Sequence, residues 1–169
     1  TRQEVSSENG RYVLVIDPDS RTHVVSSADD PTAVLWQFQQ EVWHNPFFLS
    51  NDGTTVAMVA WRHVMAEQLR DSDCVTFYGA DGEKMGIPFR NVYPSPPRTS
   101  LVGLGPVGSF WRTWYSDVDV DGDSLFVHTT GGGYAKFDLQ SRSLVEKKRV
   151  GLWKPNNVLL LISGVAAAV

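Results

Sequence analysis

A long alternating stretch in the second half of the chain most strongly constrains its fold. From Tyr115 to Val150, aspartates alternate with valines, and short apolar runs are separated by turn-forming residues. Alternation with a period of two is the pattern of a half-buried β-strand. Turns are supplied by Asp121-Gly122, by Gly131 to Gly133 and by Gln140 to Arg142. The stretch therefore predicts four antiparallel strands joined in order, a β-meander.

The same combination of short strands and tight turns recurs earlier in the chain. Three hairpins of matching spacing begin at Leu14, Thr76 and Ala135, about sixty residues apart. A second shared pattern, beginning at Asn51 and at Val120, precedes two of them. Recurrence at a fixed period is the signature of repeated structural units.

Short apolar strands joined by DG-type and D-x-x-S-type turns resemble the bacterial β-propeller repeats of the YVTN and PQQ kind. The resemblance covers most of the chain and implies an all-β fold of three blade-like antiparallel meander units. A closed propeller normally has four or more blades. Three arrangements therefore stay open: a propeller-like open meander, a sandwich, or an incomplete ring that a partner completes.

The chain divides into a β-repeat domain over residues 1–150 and an apolar C-terminal segment over residues 151–169. The first ten residues are polar, and we expect them to be frayed. Val158 to Val169 contains no charge, but a membrane-spanning helix needs about twenty such residues. This segment is expected either to begin a hydrophobic transmembrane helix or to form a buried terminal element.

Composition narrows the classes of partner. The 169 residues suit one domain, and the net charge of −4 argues against nucleic acid or an anionic membrane surface as a partner. Cys74 is the only cysteine, so neither an intrachain disulfide nor a cysteine zinc cluster can form. No cofactor is expected.

Two features of the chain ends bear on location. The start at Thr1 suggests a removed signal, which favours an extracytoplasmic, periplasmic and membrane-anchored protein. Four basic residues precede the apolar tail, and the positive-inside rule would place that flank in the cytoplasm, which is the alternative. They are Lys147, Lys148, Arg149 and Lys154.

Three alternating aspartates form a weak calcium candidate. Asp117, Asp119 and Asp121 followed by Gly122 match the first half of an EF-hand loop. His128 occupies the position where the bidentate glutamate belongs. The alternative, a strand whose aspartates face water, is favoured, so no metal is expected.

Enzymatic motifs are sparse. The four histidines lack metal-ligand spacing, and no G-x-S-x-G sequence marks a nucleophile. An enzyme is therefore less expected than a binding protein. The alternative is a ligand-binding or hydrolytic enzyme with a pocket at the centre of the repeats, using His63, His128 or Asp81.

The candidate partner-binding residues are Phe110, Arg112 and Trp114, which share one face if residues 110–115 form a strand. Aromatic residues beside an arginine are typical of protein-interaction hot spots. They are also typical of a small β core. The predicted function is a non-catalytic binding or structural module, an accessory subunit of a membrane-associated assembly. A further alternative is an immunity or inhibitor protein that presents acidic turns to a toxin's active site.

Overall fold

The computed structural model describes residues 2–41, 44–61, 63–65, 72–93, 111–129 and 132–148, with only the backbone at 63–65 and 111–113. These residues form fourteen strands and one short helix, α1 (Phe89–Val92). The strands are β1 (Gln3–Ser6), β2 (Tyr12–Ile16), β3 (Thr22–Ser27), β4 (Val34–Gln39), β5 (Phe47–Leu49), β6 (Thr55–Val59), β7 (His63–Met65), β8 (Asp73–Gly79), β9 (Lys84–Pro88), β10 (Trp111–Thr113), β11 (Tyr115–Asp121), β12 (Ser124–Thr129), β13 (Gly133–Asp138) and β14 (Ser143–Lys148).

Three four-stranded antiparallel sheets succeed one another along the described part of the chain, and we call them blades. Blade 1 has the strand order β1-β2-β3-β4, blade 2 the order β5-β6-β8-β9, and blade 3 the order β11-β12-β13-β14. Strands β7 and β10 form a separate antiparallel pair. The prediction of an all-β fold with three blade-like meander units is confirmed, as is the propeller-like character of the repeats.

The three predicted hairpins exist, but they are not equivalent. Asp17-Pro18 lies in the turn between the second and third strands of blade 1. Asp81-Gly82 and Ser141-Arg142 instead join the third and fourth strands of blades 2 and 3. The structural repeat is better marked by the first turn of each blade, where Gly10, Gly53 and Gly122 have φ angles of 70°, 72° and 63°. Glycine is favoured there because other residues are strained at positive φ.

The frayed start expected from the polar N-terminal residues is wrong. Strand β1 pairs antiparallel with β2, and Val5 lies opposite Leu14. The chain then turns, because the amide of Gly10 donates to the carbonyl of Ser7. An Asn9-Gly10 dipeptide is a strong turn signal, so this hairpin could have been predicted.

Blade 2 lies between the other two blades and is covered on both faces. One face packs with blade 1, as Val56 and Tyr78 join its buried side chains. The opposite face packs with blade 3, through Ala57 and Phe77. The central strands of blade 2, β6 and β8, are therefore buried along nearly their whole length, as expected of a sheet covered on both sides.

Polar contacts also join blade 1 to blade 2. The Trp36 indole N–H donates to the Gly53 carbonyl at 2.7 Å, and the Tyr78 hydroxyl donates to the Gln40 side chain at 2.7 Å. A Cβ at Gly53 would lie 2.6 Å from the Tyr12 ring, so only glycine allows this close approach.

The first turns of the three blades are hydrogen-bonded to one another. Asn9 of blade 1 bonds the Asn51 carbonyl of blade 2 at 2.7 Å, and the Asn51 amide donates to Asp123 of blade 3 at 2.7 Å. The Gly122 amide of blade 3 donates to the Glu8 carboxylate of blade 1. The three turns thus form one cluster that ties the blades together.

The C-terminal expectations fall outside this description. Within the described residues, no helix is long and apolar enough to cross a bilayer. Val158–Val169 lies beyond the described residues, so the predicted hydrophobic helix and the division between residues 1–150 and 151–169 stay predictions.

Candidate partner-binding surfaces

Trp114 lies in the core, whereas a residue that binds a partner needs an exposed side chain. The binding role predicted for Trp114 is therefore corrected. Its side chain is fully buried and packs edge-on against Phe89 and Tyr115, with ring centroids 4.9 Å apart in both pairs. The indole N–H donates to the carbonyl of Trp61 at 3.0 Å. A side chain without accessible surface cannot contact a partner, so the core alternative applies to Trp114.

The simple alternation predicted over residues 110–115 also fails. Strand β10 ends at Thr113 and β11 begins at Tyr115, so Trp114 is a junction between two strands. Trp114 and Tyr115 are therefore both buried although they are neighbours in sequence. Phe110 and the Arg112 side chain lie outside the described residues, and their binding role stays a prediction.

The aspartates of the calcium candidate lie along one exposed face of β11. Asp117, Asp119 and Asp121 alternate with half-buried Val118 and Val120. Alternate residues of an extended strand are too widely spaced to wrap a cation as an EF-hand loop does. Among the described residues, no group of three potential ligands has the geometry of a metal site. The arrangement matches the alternative of a strand with its aspartates in water.

The residues proposed for an enzymatic pocket have separate partners. His128 Nε2 lies 3.4 Å from the Asp119 carboxylate on the face of blade 3. Asp81 instead pairs with Arg142 at 2.9 Å across the junction of blades 2 and 3. The side chain of His63 is not among those described. The contacts of His128 and Asp81 thus give no support to a shared catalytic centre.

The aspartates in the acidic turns considered for inhibitor binding accept hydrogen bonds from backbone amides of the same turns. Asp17 accepts hydrogen bonds from the amides of Asp19 and Ser20, and these bonds lower its pKa. Asp138 accepts from the Ser141 amide at 2.6 Å, which lowers its pKa in the same way. Such carboxylates stabilise their own turns.

The two end blades differ in the face that points away from blade 2. In blade 1 the centre of that face consists of Val13, Val15 and Val24, all half-buried, with Val15 directly opposite Val24. We call these three residues the aliphatic face. Polar residues of the flanking strands border it, namely Glu4, Ser6, Gln37 and Gln39.

The corresponding face of blade 3 is charged and internally paired. The Tyr134 hydroxyl donates to Glu146 at 2.8 Å, which raises the pKa of Tyr134. Lys136 lies over the Phe126 ring at 5.3 Å. We call the charged face the set Asp117, Asp119, Asp121, Phe126, His128, Tyr134, Lys136 and Glu146. Its aromatic rings are shielded by charged neighbours, so it is suited to solvent.

Exposed aliphatic side chains concentrate on the last strand of blade 1. Val34 and Leu35 in β4 are 57% and 53% exposed. Strand β4 has the sequence VLWQFQ and pairs only with β3 among the described strands. It combines a free edge with a sequence that contains no charge and no proline. The edge position of β4 depends on the pairing of strands that are distant in the sequence, so local sequence patterns do not reveal it.

In comparisons with known proteins, this chain is similar to other proteins in fold only. No protein-family model matches this sequence, and no curated protein does. Among the solved structures that match, two align with most of the chain. Hydrazine synthase from Kuenenia stuttgartiensis aligns with 86% of this chain at 14% identity and a TM-score of 0.38. The β-propeller domain of Cps50 (Swd1) from Myceliophteria thermophila aligns with 87% at 12% identity and a TM-score of 0.37.

The chain spans about 36% and 42% of the lengths of these two structures. At this level of similarity, neither bears on what the chain binds.

Proposed function

We propose that this chain is a non-catalytic binding module that docks onto a protein partner through the aliphatic face of blade 1. The supporting observation is the contrast between covered and uncovered apolar faces. Both faces of blade 2 are covered by neighbouring blades, whereas Val13, Val15 and Val24 have no covering blade among the described residues. Burying these side chains would remove apolar area from water at about 25 cal/mol per Å².

The chemistry around the aliphatic face suits a protein partner. Its centre is apolar and its border is polar, which is the general anatomy of a protein–protein interface. The matching surface would be apolar at its centre and could be the face of a further sheet, since stacked sheets pack about 10 Å apart.

The membrane part of the proposal rests on the sequence. The twelve-residue apolar run Val158–Val169 would anchor or orient the module, which makes it an accessory subunit of a membrane-associated assembly. The extracytoplasmic location belongs to the same proposal. Fractionation of the native chain should find it with membranes, and recovery in the soluble fraction alone would contradict this part.

The docking surface is tested by placing a charge on the aliphatic face. Val15→Asp should abolish co-purification of the native assembly, because a carboxylate would be buried without a partner. The matched control is Val145→Asp, since Val145 in β14 is 52% exposed on another blade. Thermal melts of both variants establish that they fold. An intact assembly with Val15→Asp, or loss only with Val145→Asp, would overturn the proposal.

A further inference from the structure

The outer edge of blade 1 differs from the outer edges of the other two blades. Strand β9 contains Lys84 and Pro88, and β14 contains Glu146, Lys147 and Lys148. Charges and proline on an edge strand prevent pairing with another chain. Strand β4 has neither, and it is six residues long.

We propose that β4 pairs antiparallel with β4 of a second copy of this chain, which extends blade 1 into a continuous eight-stranded sheet. The unpaired backbone groups of an edge strand form a ready template for such addition. A charged residue on the partner strand would lose water on pairing, and β4 has no opposite charge to compensate for that loss. The partner strand should therefore also be free of charge. The β4 strand itself meets that requirement.

Side-chain matching fixes the register of this pairing. Trp36 and Phe38 both pack on the face of β4 directed at blade 2. With Gln37 on the two-fold axis, Trp36 of one copy lies opposite Phe38 of the other, on the same face. Aromatic pairs opposite each other across strands are stabilising. The two Gln37 side chains then meet and can exchange amide hydrogen bonds.

The charges at the ends of β4 permit the same arrangement. Antiparallel pairing brings the acidic loop that precedes β4, at Asp29 and Asp30, towards the end of β4 in the second copy. There Arg21 and Glu41 pair at 2.9 Å, so that end carries no net charge from this pair. Like charges are thus not forced together at either end of the paired strands.

This pairing has a consequence beyond the docking proposed above. A two-fold axis perpendicular to the sheet keeps both aliphatic faces on the same side. Two sets of Val13, Val15 and Val24 would then lie on one continuous sheet, which doubles the apolar surface offered to a partner. The pairing does not require that surface to be occupied, so the two proposals can fail separately.

A charge-swap experiment on the full chain tests the pairing. Gln37 is exposed, so charged replacements should leave the fold intact. Light scattering after size exclusion should show a dimer for the unmodified chain. Gln37→Lys and Gln37→Glu should each weaken dimerisation by about tenfold or more, which is about 1.4 kcal/mol, because like charges then meet at the axis. Mixing the two variants should restore dimers that contain one of each.

The matched control is Val145→Lys, a change at another exposed position, on the edge strand of blade 3. It should leave the dimer unchanged. Three results would each overturn the pairing: a monomeric unmodified chain, a dimer insensitive to Gln37→Lys, or a mixture of the two variants that stays monomeric. Loss of the dimer with Val145→Lys would place the contact on blade 3 instead.

Discussion

Blade 1 and blade 3 occupy equivalent ends of the described fold but are built differently. Blade 3 packs on blade 2 through a large apolar cluster that includes Trp114 and Phe137, and its other face is charged. Blade 1 packs through a smaller cluster around Leu14 and Ile16, and its other face is aliphatic. Blade 3 therefore presents a charged outer face that is suited to water, whereas blade 1 presents an apolar one.

The junctions with blade 2 show the same contrast. Arg142 of blade 3 pairs with both Asp81 and Glu83 of blade 2, at 2.9 and 3.1 Å. The blade 1 junction instead buries His23, whose Nδ1 lacks a hydrogen-bond partner among the described residues. The open apolar area lies on the opposite face of blade 1, and the end blade that leaves apolar area open is the one expected to gain from a partner.

The largest loss of stability should follow from a substitution at the junction between blades 2 and 3. Trp114→Ala removes a fully buried indole and leaves a cavity, so it should lower the free energy of unfolding by about 3–5 kcal/mol. Denaturant titration measures this loss. The comparison residue is Trp36 of blade 1, which is half-buried, so Trp36→Ala should cost less. Equal losses for the two variants would mean that the junctions are not built differently.

A smaller loss of stability should follow when the pH is lowered, and it should arise at the junction between blades 1 and 2. Burial lowers the pKa of His23, against the smaller opposing effects of the Gln40 carbonyl and the Asp17 carboxylate. The unfolded chain therefore binds this proton more readily, and stability should fall as the pH drops below about 6.5. Hydrogen exchange compares β2 and β3 with β12 and β13 above and below that pH. Blade 1 amides should lose protection first.

Two variants sharpen the acid prediction. His23→Gln removes the titrating group and should abolish the selective loss of protection in blade 1. His128→Gln is the matched control, because His128 is partly exposed on the charged face, and it should retain that loss. Acid sensitivity that persists in His23→Gln, or that begins in blade 3, would contradict the assignment.

Local patterns predicted the strands and most of the turns. The alternation of Asp117 to Asp121 and the glycine turns identified the blade 3 meander, because these signals lie within a few residues of each other. The Asn9-Gly10 turn carried the same kind of signal, yet the polar sequence of β1 concealed its pairing with β2.

The candidate surfaces depended on contacts between distant residues. Trp114 is buried because it packs in an apolar cluster with side chains distant in the sequence, such as Ala57 and Phe89. The aliphatic face is uncovered because blade 1 is an end blade among the described sheets, and β4 is an edge because its outer side remains unpaired among the described strands. Such facts follow from the arrangement of sheets, so periodicity along the chain cannot reveal them.

The difference between the two end faces can be measured directly by cysteine labelling. Val24→Cys reports on the aliphatic face and Asp119→Cys on the charged face. Cys74 provides a silent background, because it is buried and its burial raises the pKa of its thiol. In the purified chain, both introduced cysteines should react with a maleimide. In the native assembly, Val24→Cys should be protected and Asp119→Cys should react as before. Protection of Asp119→Cys while Val24→Cys remains reactive would contradict the account.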